Sequence, residues 1–169
     1  MLDHLSPYCR RLNLAGFAIC LLLLGAVYYL QFVQGMEPCP LCIFQRLAVA
    51  GLGAVFLLAA VHNPRGTARY GYAVAVAVVA AVGAAIAGRH VWLQSLPPDQ
   101  VPSCGPGLNY LLDTFPLFEA IALVLRGSRE CAEVETLFGL SIPLWSLLAF
   151  IGLGLAGFVI NLAGAPRRA

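Results

Sequence analysis

Cys39 and Cys42 stand in a C-x-x-C spacing within Glu37-Pro38-Cys39-Pro40-Leu41-Cys42-Ile43-Phe44-Gln45-Arg46. Two thiols at that spacing open and close a disulfide readily when one of them has a lowered pKa. Pro38 and Pro40 flank Cys39, and an apolar run begins just after Cys42. The pattern predicts a helix with Cys39 near the N-cap, Pro40 at the first position and Cys42 in the first turn. Proline suits that first position because its missing N–H would have no partner there. The unpaired N–H groups and the positive end of the helix dipole then favour a thiolate over a thiol. Arg46 lies four residues after Cys42, on the same helix face and about one turn deeper.

Two plainer readings stand beside this one. A C-x-x-C is also half of a zinc site. Zinc would need a second close cysteine pair or histidines at short spacing. Cys104 and Cys131 are far apart in sequence, so redox chemistry is the expectation and no metal is expected. Arg46, near the start of its helix, is either a partner for the thiolate or a cation that snorkels to the headgroups.

These residues are set in a lipid-loving chain. Of 169 residues 60% are hydrophobic and only 11% charged, and the mean hydropathy is +0.84. An ordinary soluble domain carries about a quarter charged residues, so that class is excluded. A net charge of +2 is too small to argue for nucleic acid. The size and composition predict one integral membrane domain over 1–169.

Apolar runs predict spans at about 14–33, 43–61, 70–88 and 143–162, each long enough to cross a bilayer as a helix. The first could be a signal peptide, but it is long for one and Tyr28-Tyr29-Leu30-Gln31-Phe32 is no small-residue cleavage site. It reads as a retained span with an aromatic belt at its far end. His62-Asn63-Pro64-Arg65-Gly66 is a turn, and Pro97-Pro98 breaks the chain after Arg89, His90 and 91–96. The long loop of about 97–141 holds Cys104 and Cys131. Its apolar 116–125 is too short to span and predicts a short helix on the membrane surface. Gly83/Ala87 and Gly152/Ala156 are small-residue pairs that would let helices approach closely. The fold class is therefore an all-α, four-helix membrane bundle.

Charge sets the orientation. Arg10, Arg11, Arg65, Arg69, Arg167 and Arg168 share one side, and only Arg89, Arg126 and Arg129 lie on the other. The positive-inside rule puts both termini in the cytoplasm. Cys39, Cys42, Cys104 and Cys131 then face the outer, oxidising compartment, where disulfides persist. Cys9 reads as a free thiol on the reducing side and Cys20 as a small apolar filler inside the bilayer.

The combination resembles the disulfide bond formation protein B (DsbB) family, bacterial inner-membrane thiol oxidases. The matching residues are the Pro38–Arg46 stretch, His90-Val91-Trp92-Leu93-Gln94, Cys104, Cys131-Ala132-Glu133, and Phe138-Gly139-Leu140-Ser141-Ile142-Pro143-Leu144-Trp145. The resemblance covers nearly the whole chain. It implies a short and a long periplasmic loop, and re-oxidation of a periplasmic DsbA-like dithiol protein with electrons passed to a quinone, ubiquinone or menaquinone. It implies a disulfide between Cys39 and Cys42 near the quinone and a second between Cys104 and Cys131, Cys104 being the one that bonds DsbA. It places Arg46 and His90 at the quinone; by its own position at the outer end of span three, His90 is either a proton donor there or an interfacial histidine bonded to headgroups or backbone. Gln45 departs from the acidic residue of some members, and Ser128-Arg129-Glu130 stands where a Gly-Asp can precede Cys131. A vitamin K epoxide reductase-like enzyme is an alternative, although that family's C-x-x-C tends to lie late in the chain. Another is a non-enzymatic four-helix membrane protein whose loops are stapled by structural disulfides.

Overall fold

The computed structural model describes residues 8–64, 66–97, 100, 110, 113–132 and 134–163. In chain order the elements are α1 (Cys9–Gln34), α2 (Pro40–His62), α3 (Ala68–Gln94), α4 (Leu117–Arg126), α5 (Arg129–Ala132), β1 (Thr136–Leu137), β2 (Leu140–Ser141) and α6 (Ile142–Ala163). Four of them, α1, α2, α3 and α6, are long and apolar enough to cross a membrane. The protein is an all-α, four-helix membrane protein.

The expected spans all lie inside these four helices, which run further at both ends. Hydropathy marks the stretch that lipid must surround, whereas caps set where a helix stops. Gly35 ends α1 and Asn63 ends α2, both in the left-handed region at φ 72° and 42°. Nothing stops α3 at Gly88, and it continues to Gln94. Arg89 and His90, expected at the outer end of the third span, are therefore part of α3. Cys9 and Asn13, ahead of the expected first span, are likewise helical and buried.

In lipid the solvent gives helices no hydrophobic reason to associate, so close packing must hold them. The bundle pairs α1 with α2, α2 with α3, and α3 with α6. Phe56, Phe150, Leu52, Val76 and Cys20 form its centre, with Cys20 as the small filler its sequence context predicts. Gly83 faces Phe150 so closely that an added Cβ would lie 2.3 Å from the ring, and Gly154 faces Ala80 at 2.6 Å. The expected pair Gly152/Ala156 does not serve this contact. Both residues are exposed, and a Cβ on Gly152 would meet nothing within 4 Å. The buried stripe of α6 runs instead through Gly154 and Gly157.

At the end of the bundle near the chain termini, Asn13 of α1 and Asn161 of α6 exchange side-chain hydrogen bonds of 3.3 and 3.1 Å. Cys9 donates to the Ile160 carbonyl beside them at 3.3 Å. These paired amides satisfy each other where water is scarce.

At the opposite end, α4 lies where a short apolar helix was expected, and its Ala120 and Val124 pack with Leu41, Leu93 and Cys131. Arg89 holds its C-terminus, donating to the carbonyls of Leu125 at 3.2 Å and Arg126 at 3.1 Å. The β1–β2 hairpin was not expected from the sequence. Its two turn residues, Phe138 and Gly139, both have positive φ (53° and 84°), as a two-residue type I′ turn requires. Trp145 pins it by donating to the Leu137 carbonyl at 2.9 Å.

Candidate functional site

Cys39 is the N-cap of α2 and Pro40 its first residue, the local geometry that the two prolines predict. Cys42 sits in the first turn, within the region where the helix N–H groups have no intrahelical acceptor and negative charge is favoured. Cys39, Cys42 and Cys131 are reduced, with no disulfide among the described residues. Cys39 Sγ lies 3.4 Å from Cys42 Sγ. Cys104 lies outside the described residues, and so does its pairing with Cys131.

Tertiary folding adds a third sulfur. Cys131, on α5, is buried in one cluster with Cys39. The neighbouring Cys39 sulfur and burial hold its thiol well above the usual range. The sulfurs thus stand in a row: Cys131, Cys39, Cys42.

Cys42 opens onto a cavity of about 530 Å³ between α1, α2, α6 and the hairpin. That volume lies within the range of small-molecule sites, and so does the mix of apolar walls and few polar groups. Leu30, Phe138 and Trp145 are among its apolar walls, while Cys42, Gln45 and Arg46 gather at one part of the lining. The Arg46 guanidinium donates to the Gln31 side chain of α1 and sits 5.2 Å from the centre of the Tyr28 ring. It is tied to α1, with its charge beside the cavity.

His90 is not among the cavity-lining residues, although its partner Gln45 is. It is buried at 3% exposure. Its Nε2 is 3.0 Å from the Cys131 carbonyl and its Nδ1 is 3.0 Å from Gln45 Nε2. The sulfurs of Cys39 and Cys42 are further away, at 3.8 and 4.0 Å. Donor atoms of Cys39, Cys42 and His90 lie within 4.8 Å of one another, close enough for a soft metal ion. Both ring nitrogens of His90 are nevertheless engaged by protein groups.

Sequence reading marked Gln45 only as a departure from the family pattern and missed the contributions of Gln31 and the hairpin. Gln45 carried one signal, its place in the helix turn between Cys42 and Arg46. Gln31 carried none, since its partner is on another helix.

A family model described as Disulfide bond formation protein DsbB matches residues 9–160. A disulfide bond formation protein B of Nitrosococcus oceani is 58% identical over 140 residues, covering 82% of this chain and 83% of its own. The protein of that name from Methylococcus capsulatus is 49% identical over 149 residues, covering 88% and 91%. The one from Chromohalobacter salexigens is 51% identical over 156 residues, with the same coverages of 88% and 91%. With a row of three thiols at the mouth of an apolar cavity and a match along most of its length, the chain belongs to the DsbB family of membrane proteins that act in disulfide bond formation.

Proposed function

We propose that the protein oxidises the dithiol of a periplasmic, DsbA-like thioredoxin-fold protein and delivers two electrons and two protons to a quinone of the bacterial inner membrane. The supporting observation is the grouping of sulfurs: Cys131 is buried in one cluster with Cys39, Cys39 lies 3.4 Å from Cys42, and Cys42 lines an apolar cavity beside Arg46. The arginine distribution favours both termini in the cytoplasm and the sulfurs on the periplasmic side. Family membership takes the place of the vitamin K epoxide reductase-like alternative and speaks against a merely structural role for the cysteines.

The residues divide the work as follows. A partner thiolate attacks Cys104 of the Cys104–Cys131 disulfide, forming a mixed disulfide and releasing Cys131. The partner's second thiol resolves that bond, leaving the partner oxidised and Cys104 reduced. Cys131 attacks Cys39 of the Cys39–Cys42 disulfide and displaces Cys42 as a thiolate. Cys104 then attacks Cys131, restoring the loop disulfide and leaving Cys39 and Cys42 as the reduced pair. The start of α2 and the Arg46 charge favour the Cys42 anion.

A quinone fits the cavity by size and by its apolar walls, and when bound it supplies a two-electron, two-proton acceptor. Cys42, Gln45 and Arg46 are the groups that would hold its polar head. Such an acceptor is needed because DsbA-type partners are strong oxidants, near about −120 mV. An ordinary structural disulfide, below about −300 mV, would not oxidise them.

The test is purified protein with a reduced thioredoxin-fold partner and added quinone, followed by quinone absorbance. No quinone reduction would sink the reading. Cys104→Ala is expected to abolish the covalent complex with the partner, and its persistence on a non-reducing gel would reject Cys104 as the attacked atom. Arg46→Ala is expected to raise the quinone KM about tenfold or more, the effect of losing one charge-assisted contact. An unchanged KM would reduce Arg46 to a snorkelling side chain.

A further inference from the structure

Gln45, His90 and Cys131 come from three different elements, α2, α3 and α5, and are 4%, 3% and 1% exposed. A carbonyl oxygen only accepts, so the 3.0 Å contact from His90 Nε2 to the Cys131 carbonyl requires a proton on Nε2. In the neutral ring Nδ1 is then bare, and the Gln45 amide donates to it at 3.0 Å. The amide thereby selects the tautomer that reaches Cys131. The segment needs such a hold, because α5 has only four residues and cannot fix its own position.

We propose that Gln45 and His90 form a latch that docks Cys131 onto Cys39. This rests on the relay reading above, in which Cys131 must approach Cys39 in every cycle. Gln45 acts through His90 and is a positioning residue for the exchange. It is also part of the cavity lining, so the side chain that orients the imidazole also borders the acceptor's space.

The test measures docking without quinone or partner, so its failure is distinct from failure of the relay. In a Cys42→Ser, Cys104→Ser background, detergent-solubilised protein is equilibrated with glutathione redox buffers. Acid quench and thiol trapping then give the fraction holding a Cys39–Cys131 disulfide, and hence the effective concentration of one thiol at the other. Gln45→Leu keeps the volume and removes the donor, and is expected to lower that concentration about fivefold to tenfold, as the loss of one buried hydrogen bond would. His90→Leu is expected to lower it at least as far. Adding Gln45→Leu to His90→Leu should do nothing more, because both act through one contact. Parent-like values in Gln45→Leu would overturn the latch. Should Gln45→Leu fail to fold, His90→Gln carries the test. It keeps an N–H at the Nε2 end, is expected to retain more of the parent value than His90→Leu, and overturns the proposal if the two are equal.

Discussion

A Cys42→Ser protein is expected to lose quinone reduction to below about one-thousandth of the parent rate, the scale of loss when a covalent catalytic group is removed. It is also expected to accumulate a Cys39–Cys131 disulfide. Both outcomes follow from the order of the sulfurs. Cys131 is buried in one cluster with Cys39, while Cys42 is the sulfur of the pair that lines the cavity. Without Cys42 the Cys39 thiolate can still attack Cys131 of the Cys104–Cys131 disulfide, placing a bond between the two loops and releasing Cys104 as a thiol, but no thiol stands at the acceptor's edge to take the next step. Non-reducing peptide mapping after acid quench would find the cross-link, and quinone absorbance would report the lost turnover. A Cys42→Ser protein that turned over normally would show that electrons leave by another route. One that lost turnover with Cys39 and Cys131 both free would show that the loop sulfur does not exchange with the N-cap sulfur.

Gly83→Leu should be the most damaging single change in the bundle outside the cysteines. A Cβ there would stand 2.3 Å from the Phe150 ring, and that ring is 1% exposed with no room to turn aside. The α3–α6 contact would have to open, at a cost of about 1–3 kcal/mol or more for overpacking a close-packed interface. Thermal unfolding in detergent would read the loss as a lowered midpoint. Gly152→Leu is the matched control, since nothing lies within 4 Å of a Cβ at that position, and its effect should stay within about 0.5 kcal/mol. Equal stability of the two variants would mean that α3 and α6 are not held by this contact.

This packing bears on the chemistry. α2 carries Cys39 and Cys42, whereas α3 carries His90, and Arg89 on α3 ties down α4. The sulfur row therefore depends on how α3 sits against its neighbours. Glycines at the crossing points let the backbones approach.

Much of this protein was legible in its residues alone. Lipid admits few ways to satisfy a backbone, so four long apolar runs had to become four helices. The Pro-Cys-Pro-Leu-Cys turn encoded its own cap geometry, because proline at the first helical position and an N-cap before it are local rules. Cys131 was named from the sequence through the family resemblance, but its place against Cys39, the Gln45–His90 contact and the hairpin were not legible in local pattern. Cys131 meets Cys39, and His90 meets Gln45, across separations of 92 and 45 residues that no periodicity links. The interface stripe of α6 was likewise undetermined, since glycines lie on more than one face and only the position of Phe150 and Ala80 selects Gly154 over Gly152. Local chemistry decided which residues could react and which segments could cross lipid. Long-range packing decided which sulfur each one meets, because that depends on the rotation of whole helices, which neighbours in sequence do not set.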